Sequence, residues 1–448
     1  MFEFLRKDPP PAPAQLNEHD QVTDEKVLKK DRIKFGLGTV LFQSEETSIG
    51  GVPSFIIRML GGDERHLGLY GSTQGVTSVA QFLGAIILRK FGSDRRSMVF
   101  SMMIGFIVAA GIATVILAAR IPAFHAYAVY AYLALVVLFF AVGGFQWNIE
   151  SSWIGDLVPK NRLGWFTSYK WILGTIGVVA FNMVIAKLVD RHPSPAGCAA
   201  VYAMFSVSFM AAAAVYSTAT DRTPKNAYFF SGGESHQDRI RYASVPLWCY
   251  ITFYWCWSGG RVMLLAFQFI YLMDQFQFTM TKIAWLNIMQ YGVSVVVIYI
   301  FGKFIDKRGN RIPLLIVSAT VASCMFLWVS SAWWGIVPIL IYQLINGAAG
   351  NTHSMLAINL ALEIFPDKGR AAYLGFSRFC LGLVTMSTPV LAGFFMRHIA
   401  GFQMVIHGVT FNKYHILFFT CACISLCCVI PLIVLGKHLA KSNKVNIG

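Results

Sequence analysis

Residues 97–119 read SMVFSMMIGFIVAAGIATVILAA, an apolar run that lies between Arg95 and Arg96 on one side and Arg120 on the other. A helix rises 1.5 Å per residue, so about 20 apolar residues cross a hydrocarbon core about 30 Å thick. Runs of this length recur along all 448 residues, of which 56% are hydrophobic and only 13% are charged. An average soluble domain carries about 25% charged residues. The sequence therefore predicts an all-α, polytopic membrane protein.

The apolar runs divide into two groups of six. Between the sixth and the seventh run, residues 218–244 are polar and contain prolines and glycines, which is typical of a linker. We therefore predict a cytoplasmic tail at 1–33, a six-helix bundle at 34–217, a linker at 218–244, a second six-helix bundle at 245–437 and a tail at 438–448. The twelve predicted spans are 35–57, 66–88, 97–119, 126–152, 165–188, 198–217, 245–272, 281–303, 312–331, 335–362, 371–396 and 414–436.

The basic residues predict an orientation in the membrane. With both termini placed inside, 26 of the 37 Lys and Arg residues fall on the inner side and 8 on the outer side. This excess is the positive-inside pattern, so both termini are expected in the cytoplasm. The net charge of +15 is spread over short loops rather than gathered on one face, and no nucleic-acid partner is expected. The first 33 residues lack the apolar core of a signal peptide. The absence of long glycosylated loops favours a bacterial inner membrane over a eukaryotic plasma membrane.

Two sequence echoes indicate that the two halves are copies of one unit. Residues 74–79 (QGVTSV) in the second span echo residues 290–295 (QYGVSV) in the eighth. The loop at 156–162 (DLVPKNR) after the fourth span echoes the loop at 363–370 (EIFPDKGR) after the tenth. The echoes occur in matching order, which favours two six-helix repeats.

The loop that follows the eighth span carries a family motif. Residues 302–311 read GKFIDKRGNR and resemble the motif G-x-x-x-D-[RK]-x-G-x-[RK] of the major facilitator superfamily. The first-half counterpart at 84–96 is degenerate, with Leu88 where the acidic residue belongs. The resemblance covers nearly the whole chain in span number, halves and loop motifs, and it implies the twelve-helix fold of two pseudo-symmetric six-helix bundles. It also implies alternating access, in which cytoplasmic charge networks form and break. The residues implied in gating are Asp156, Arg162, Asp306, Arg308, Glu363 and Arg370. Alternatively, they are ordinary loop charges near the lipid headgroups.

Two adjacent acidic residues lie inside the first predicted span. A charge at the centre of a bilayer costs about 2.5 to 3.5 kcal/mol on insertion scales, so it needs a partner, water or a function. We interpret Glu45 and Glu46 as candidates for cation coupling, with H⁺ or Na⁺ as the ion. The alternative is a buried structural ion pair. Lys170 lies near the start of the fifth span and is expected to reach the membrane interface along its aliphatic stem.

The resemblance implies that spans 1, 4, 7 and 10 line a central cavity, and polar residues collect in these spans. Amides suit hydroxyl groups, and tryptophan rings suit the apolar faces of sugars. Arg261 and Arg378 could each bind an anionic solute or pair with Glu45 or Glu46. For the amides and aromatic residues, the alternative is interhelical hydrogen bonding and interfacial packing. The candidate substrate-binding residues are Gln146, Trp147, Asn148, Glu150, Trp257, Arg261, Gln343, Asn346, Asn351, His353 and Arg378.

These observations favour a cation-coupled secondary transporter that carries a sugar or a related polyhydroxylated compound. The alternatives are an organic anion such as a uronate or carboxylate, an efflux permease, and a non-transporting membrane sensor. Nucleotide-binding and hydrolase motifs are absent from the sequence, so we expect neither an enzyme nor a cofactor. The nine cysteines lack His partners at zinc-ligand spacing and are expected to be free thiols, with no metal site. The expected partners are the solute, the coupling cation and the lipid bilayer, and the expected state is a monomer.

Overall fold

The computed structural model describes residues 24–42, 51–73, 75–81, 93–159, 162–221, 244–308, 311–365, 370–406 and 408–445. Within these ranges the chain is almost entirely helical, and the helices occupy the twelve predicted spans. Eight of them are long and apolar enough to cross a bilayer, judged by length and composition alone. The prediction of an all-α, twelve-span fold is confirmed.

In the described part of the first six spans we label seven helices, α1 to α7. They are α1 (Glu25–Phe42), α2 (Gly51–Met59), α3 (Glu64–Gly71), α4 (Asp94–Ala118), α5 (Pro122–Leu157), α6 (Leu163–Arg191) and α7 (Pro195–Ser217), and residues 75–81 are also helical.

The last six spans contain the remaining elements. They are α8 (Val245–Phe276), α9 (Met280–Arg308), α10 (Arg311–Cys324), α11 (Phe326–Trp334), α12 (Val337–Ile364), α13 (Arg370–His398), β1 (Gln403–Ile406), β2 (Val409–Asn412), α14 (Lys413–Leu426) and α15 (Val429–Val445).

Several helices extend beyond their predicted spans, among them α1, α9 and α15, which ends at Val445 rather than at 436. Helix α1 begins at Glu25, where the Asp24 carboxylate accepts a hydrogen bond from the Lys26 backbone N–H at 2.8 Å. Leu28 in the first turns of α1 is buried, so this polar stretch is packed against the rest of the unit. Helix α9 continues to Arg308, which places Asp306 in its last turn rather than in a loop. Polar helix ends carry weak apolar periodicity, which explains why the sequence pattern underestimates them.

The chain separates into two compact units. The first contains residues 1–60 and 76–233. Within it, α4 packs against α5 and α7, while α1 packs against α6 and α7. The α5–α7 contact is aromatic: Phe139 lies 6.2 Å from Phe205 between ring centroids, and the hydroxyl groups of Tyr132 and Tyr202 are 2.9 Å apart. Side chains of this size fill the space between helices and fix the register of α5 against α7.

The second unit contains residues 61–75 and 234–448. Helix α8 packs against α13 and α14, and α9 packs against α12. Residues 61–75 group with this unit, although the predicted boundary between bundles lies far later in the chain. The physical reason is a close contact between α3 and α13, because a Cβ added at Gly68 would lie 2.4 Å from the Pro389 carbonyl oxygen and 3.0 Å from the Gly393 Cα. Glycine on both helices lets the two backbones touch.

A short antiparallel hairpin, which the sequence pattern does not predict, joins α13 to α14. Strands β1 and β2 pair from Gln403 opposite Asn412 to Ile406 opposite Val409. Gly408 in the turn has a φ of +78°, a conformation that favours glycine. Asn412 then caps α14, since its side chain accepts a hydrogen bond from the Tyr414 backbone N–H at 3.1 Å. Strands of four residues with mostly exposed side chains carry too little alternation to be predicted.

Each unit contains a glycine that brings its fourth span into backbone contact with its second span. A Cβ added at Gly144 of α5 would lie 2.4 Å from the Thr77 carbonyl oxygen. A Cβ added at Gly347 of α12 would lie 2.4 Å from the Gln290 carbonyl oxygen. Helices α5 and α12 are the fourth spans of their respective halves. The two units therefore share the same close crossing of the fourth span on the second.

We predict that Gly144→Ala destabilises the protein, whereas Gly155→Ala on the same helix does not. The Gly144 methyl group would meet a backbone oxygen, so α5 must shift at a cost of about 1–3 kcal/mol. Gly155 has no atom within 4 Å of an added Cβ, and alanine favours the helix by up to about 1 kcal/mol. Thermal unfolding of the purified variants in detergent measures both effects. Equal stabilities for the two variants would contradict the crossing.

Candidate functional site

A carboxylate and an ammonium group meet inside the first unit. Lys170 Nζ on α6 donates to Glu150 Oε2 on α5 at 2.5 Å, and their side chains are 5% and 0% exposed. The other carboxylate oxygen, Oε1, accepts hydrogen bonds from Thr39 Oγ1 of α1 at 2.9 Å and from the Tyr216 hydroxyl of α7 at 2.7 Å. We call Glu150, Lys170, Thr39 and Tyr216 the acid cluster. The prediction that Lys170 reaches the membrane interface is wrong, because this buried carboxylate holds its ammonium group.

Local sequence explains how the acid cluster is assembled. Glu150 lies seven residues before the end of α5 at Leu157, and Lys170 lies seven residues after the start of α6 at Leu163. Two antiparallel helices joined by a short connection place such residues at equal depth. This matched spacing of opposite charges is a signal that sequence analysis could have used. The sequence analysis considered Glu150 and Lys170 separately and did not predict that they would meet.

Aromatic side chains enclose the acid cluster. Phe35 contacts Trp153, Phe166 and Tyr216, with ring centroids 4.7 to 5.6 Å apart. A Cβ added at Gly38 would lie 2.5 Å from Tyr216 Cζ, so glycine at this position lets the tyrosine reach Glu150. The enclosure lowers the local dielectric and strengthens each hydrogen bond to the carboxylate.

The neighbouring candidates on α5 contact the backbone of other helices. Gln146 Nε2 donates to the Ser101 carbonyl oxygen at 3.2 Å, and Asn148 Nδ2 donates to the Gln81 carbonyl oxygen at 2.7 Å. The Trp147 ring lies 5.4 Å from Lys170 Nζ, a cation–π distance. The two amides therefore make the interhelical contacts that were the alternative to solute binding, while Trp147 lies beside the acid cluster.

A second polar cluster lies within the second unit. The His353 imidazole on α12 stacks on the Trp257 indole on α8, with centroids 3.8 Å apart and planes at 17°. Arg261, one turn after Trp257, has its guanidinium carbon 5.9 Å from the indole centroid. A Cβ added at Gly350 would lie 3.4 Å from Arg261 Nη2 and 3.5 Å from Asn346 Oδ1. We call Trp257, Arg261, Asn346, Gly350 and His353 the arginine cluster.

Two buried polar atoms of the arginine cluster lack a hydrogen-bond partner among the described residues. They are Asn346 Oδ1 and His353 Nε2. Within the same ranges, no carboxylate lies within ion-pair distance of Arg261. Buried polar groups are normally satisfied, so this arrangement can accommodate a ligand that supplies the missing contacts. Gln343 is also buried on α12, one turn before Asn346.

The remaining candidates do not join either cluster, or they lie outside the described residues. Arg378 on α13 is exposed rather than buried. The side chain of Asn351 and residues Glu45 and Glu46 lie outside the described residues, so their predicted roles stay predictions. Among the gating candidates, Arg162 Nη1 lies 3.8 Å from Glu25 Oε1, and Glu363 is exposed. The side chains of the other four, Asp156, Asp306, Arg308 and Arg370, also lie outside the described part of the chain.

Charged residues that the sequence analysis did not single out join α3 to α13 and α14. Arg397 Nη1 at the end of α13 donates to Asp63 Oδ2 at 3.1 Å. Lys413 Nζ at the start of α14 donates to Glu64 Oε1 at 2.6 Å. Partial burial raises the pKa of the Asp63 carboxyl, but hydrogen bonds from His66 and Arg65 outweigh it, so the pKa lies below the ordinary 3.8. Asp63 therefore stays charged at neutral pH.

We predict that Asp63→Asn lowers thermal stability at pH 7 and that its difference from the unaltered protein disappears on acidification. A carboxyl whose folded pKa is lowered stabilises the fold above its unfolded pKa and loses this effect as pH falls through the folded value. The pair is partly exposed, so the effect at pH 7 is below about 1 kcal/mol. Melting temperatures of Asp63→Asn, Arg397→Gln and the double variant at several pH values measure it. Additive effects of the two substitutions at pH 7 would contradict the coupling.

We predict that Lys170→Met destabilises the protein strongly and that the double variant Glu150→Gln/Lys170→Met recovers most of the loss. Removing one partner of a buried ion pair leaves an uncompensated charge, at a cost of about 3–5 kcal/mol, whereas replacing both partners is often neutral. Unfolding midpoints in detergent measure the difference, with Lys29→Met, at an exposed position of α1, as the control. A double variant no more stable than Lys170→Met would refute the pairing.

Comparisons with known proteins agree with this architecture. Residues 247–446 match the family described as Major Facilitator Superfamily. A D-xylose–proton symporter has 15% sequence identity and a TM-score of 0.69, covering 91% of this chain and 97% of its own. The nucleoside transporter NupG has 13% identity and a TM-score of 0.67, covering 92% and 99%.

A third solved structure has a lower TM-score. A bacterial metal transporter has 13% identity and a TM-score of 0.61, covering 91% of this chain and 98% of its own. A search of curated protein sequences gives no match. Residues 247–446 thus resemble the Major Facilitator Superfamily, and the described part of this multi-pass membrane protein shares its fold with these transporters.

Proposed function

We propose that this chain is a cation-coupled secondary active transporter that moves a small polar solute by alternating access. The transporter fold supports membrane transport as the general activity. The observation that carries the specific proposal is the arginine cluster. It places a guanidinium that has no ion-pair partner among the described residues together with an amide oxygen and an imidazole nitrogen, inside membrane-spanning helices.

The position of Arg261 explains why the arginine cluster calls for a ligand. Arg261 lies near the middle of α8, sixteen residues after Val245. A positive charge at this depth costs about 2.5 to 3.5 kcal/mol unless it has a partner, water or a function. Among the described residues the indole of Trp257 supplies one weak cation–π contact, and no carboxylate pairs with the guanidinium, so its N–H donors can serve a solute.

The leading solute class is a sugar or a related polyhydroxylated compound. Asn346 Oδ1 can accept a hydrogen bond from a hydroxyl group, and His353 Nε2 can donate or accept according to its tautomer. Two solved structures with this fold are a D-xylose–proton symporter and a nucleoside transporter, and both types of solute carry hydroxyl groups. At 13–15% identity these structures support the fold, so solute chemistry rests on the arginine cluster.

An organic anion, such as a uronate or another carboxylate, is the second candidate. Arg261 favours it, since a guanidinium binds a carboxylate through two parallel hydrogen bonds. A metal ion is a poorer cargo for the described residues, because they contain no group of three or more His, Cys, Asp and Glu side chains that could hold one.

The coupling ion is proposed to be H⁺ or Na⁺, and Glu45 and Glu46 remain the candidates from sequence. We further propose that the protein is a monomer in the cell membrane, with both termini in the cytoplasm, and that a bacterial inner membrane is its location. These proposals rest on the charge count and the family resemblance, since the described residues do not test them.

Uptake into proteoliposomes tests the transport proposal. D-xylose and D-glucuronate are offered as probes under an imposed proton or sodium gradient. We expect gradient-driven uptake of at least one probe and a loss of about tenfold or more in Arg261→Ala, the effect of about 1.4 kcal/mol or more of lost binding. A larger loss for glucuronate than for xylose would favour the anion.

Matched variants keep this test interpretable. Arg120→Ala changes an exposed arginine between α4 and α5 and should leave uptake unchanged. Arg261→Lys keeps the charge but loses the bidentate geometry, so it separates charge from recognition. Unchanged uptake in Arg261→Ala would exclude the arginine cluster as the solute site. No uptake of either probe by the folded, unaltered protein would move the efflux and sensor alternatives ahead.

A further inference from the structure

The acid cluster contains a carboxylate that no part of the proposed solute site uses. Glu150 is fully buried. Its Oε2 accepts a hydrogen bond from α6, and its Oε1 accepts hydrogen bonds from α1 and from α7. Among the described residues, the titratable groups that face it are Lys170 from α6 and Tyr216 from α7, while α1 contributes only Thr39. A protonation change at Glu150 therefore alters contacts with three other helices at once.

The second unit shows that this position can be packed without a charge. Glu150 lies nine residues before Pro159 in the first loop motif, and Ala357 lies nine residues before Pro366 in its echo. Ala357 is buried in an apolar cluster with Tyr250, whose hydroxyl donates to the Ala357 carbonyl oxygen at 3.2 Å. Burying an ion pair costs several kcal/mol per ion in desolvation, and apolar replacements are often as stable. Packing alone therefore does not explain why the first unit keeps the pair.

We propose that Glu150 is the proton-carrying carboxylate of this transporter and that Lys170 is its positioning residue. The inference rests on the proposed function, because it names the coupling ion as H⁺ and assigns the residue that carries it. In the structure the pair is neutral overall, with the ammonium group of Lys170 against the carboxylate of Glu150.

The proton balance of the step is simple. One proton from the aqueous phase bonds to Glu150 Oε2, and the hydrogen bond from Lys170 Nζ to that oxygen breaks. The acid cluster then carries one positive charge, on Lys170. The Trp147 ring, 5.4 Å from Nζ, offers the released ammonium a cation–π contact. Loss of the proton from Glu150 reverses the step and restores the ion pair.

The same contacts disfavour sodium as the bound ion at this position. Sodium is a cation that would need several oxygen ligands close together. The Lys170 ammonium already occupies the position beside Oε2 that such a cation would take, and it would repel a second positive charge. A proton needs only one oxygen lone pair.

Infrared difference spectroscopy of the purified full-length protein tests the proposal without a solute. We expect a carboxylic-acid C=O band to appear as the pH is lowered, because protonation converts the carboxylate of Glu150 into a carboxylic acid. The band should be absent in Glu150→Gln and present in Glu25→Gln, which changes an exposed carboxyl in the same unit. If no band is lost in Glu150→Gln, the proposal is overturned.

Transport in proteoliposomes tests coupling, with D-xylose and D-glucuronate as probes. A gradient of about one pH unit supports about tenfold accumulation when one proton accompanies one solute molecule. We expect the unaltered protein and Asp190→Asn, which changes a half-buried carboxyl at the end of α6, to approach this ratio. Glu150→Gln should reach a ratio of about one while still exchanging labelled for unlabelled solute. Full accumulation by Glu150→Gln would overturn the proposal.

The double variant Glu150→Gln/Lys170→Met separates coupling from folding. If it folds and exchanges solute but does not accumulate it, the carboxylate carries the proton. If it accumulates solute as the unaltered protein does, the pair is structural and the proposal fails. If the unaltered protein moves neither probe, the proposed solute classes fail, while the infrared measurement still decides whether Glu150 takes up a proton.

Discussion

Hydrocarbon cannot hydrogen-bond to a peptide group, and this constraint governs the whole structure. Each unsatisfied backbone N–H or C=O would cost several kcal/mol, so a span must satisfy its own backbone as a helix. The run at 97–119 becomes α4, and the other apolar runs become helices in the same way. Because lipid is as apolar as the side chains, burial of apolar surface contributes little to holding the helices together. Close packing and polar contacts take that role.

Glycine and aromatic residues have different roles in the packing of the helices. Gly144 and Gly347 bring the fourth and second spans of each unit into backbone contact, and Gly68 does the same for α3 on α13. Elsewhere rings such as Phe139 and Phe205 fill wider spaces between helices. The same device at corresponding places in both units fits an origin from one repeated unit, whereas the polar contents of the two units differ.

Polar residues make different kinds of contact in the two units. In the first unit an acid and a base neutralise each other, with two hydroxyl groups completing the shell of the acid. In the second, an arginine stays unpaired among the described residues beside an amide and a stacked imidazole. A satisfied pair can change when a proton arrives, and an unsatisfied group can bind a solute. These are the two capacities that coupled transport needs.

The sequence by itself determined the fold class, because span length and apolar composition follow directly from the thickness of the membrane. It also located the polar spans, since Gln146, Glu150, Arg261 and His353 were all candidates before their contacts were known. Tertiary structure alone decided which of them meet: Lys170 turns inward to Glu150, Trp257 stacks on His353, and Arg378 is exposed. The physical reason is that a one-dimensional pattern gives depth and helix face, whereas a pairing depends on how neighbouring helices are rotated about their axes. That rotation is fixed by close contacts such as Gly38 on Tyr216, which link residues far apart in the chain.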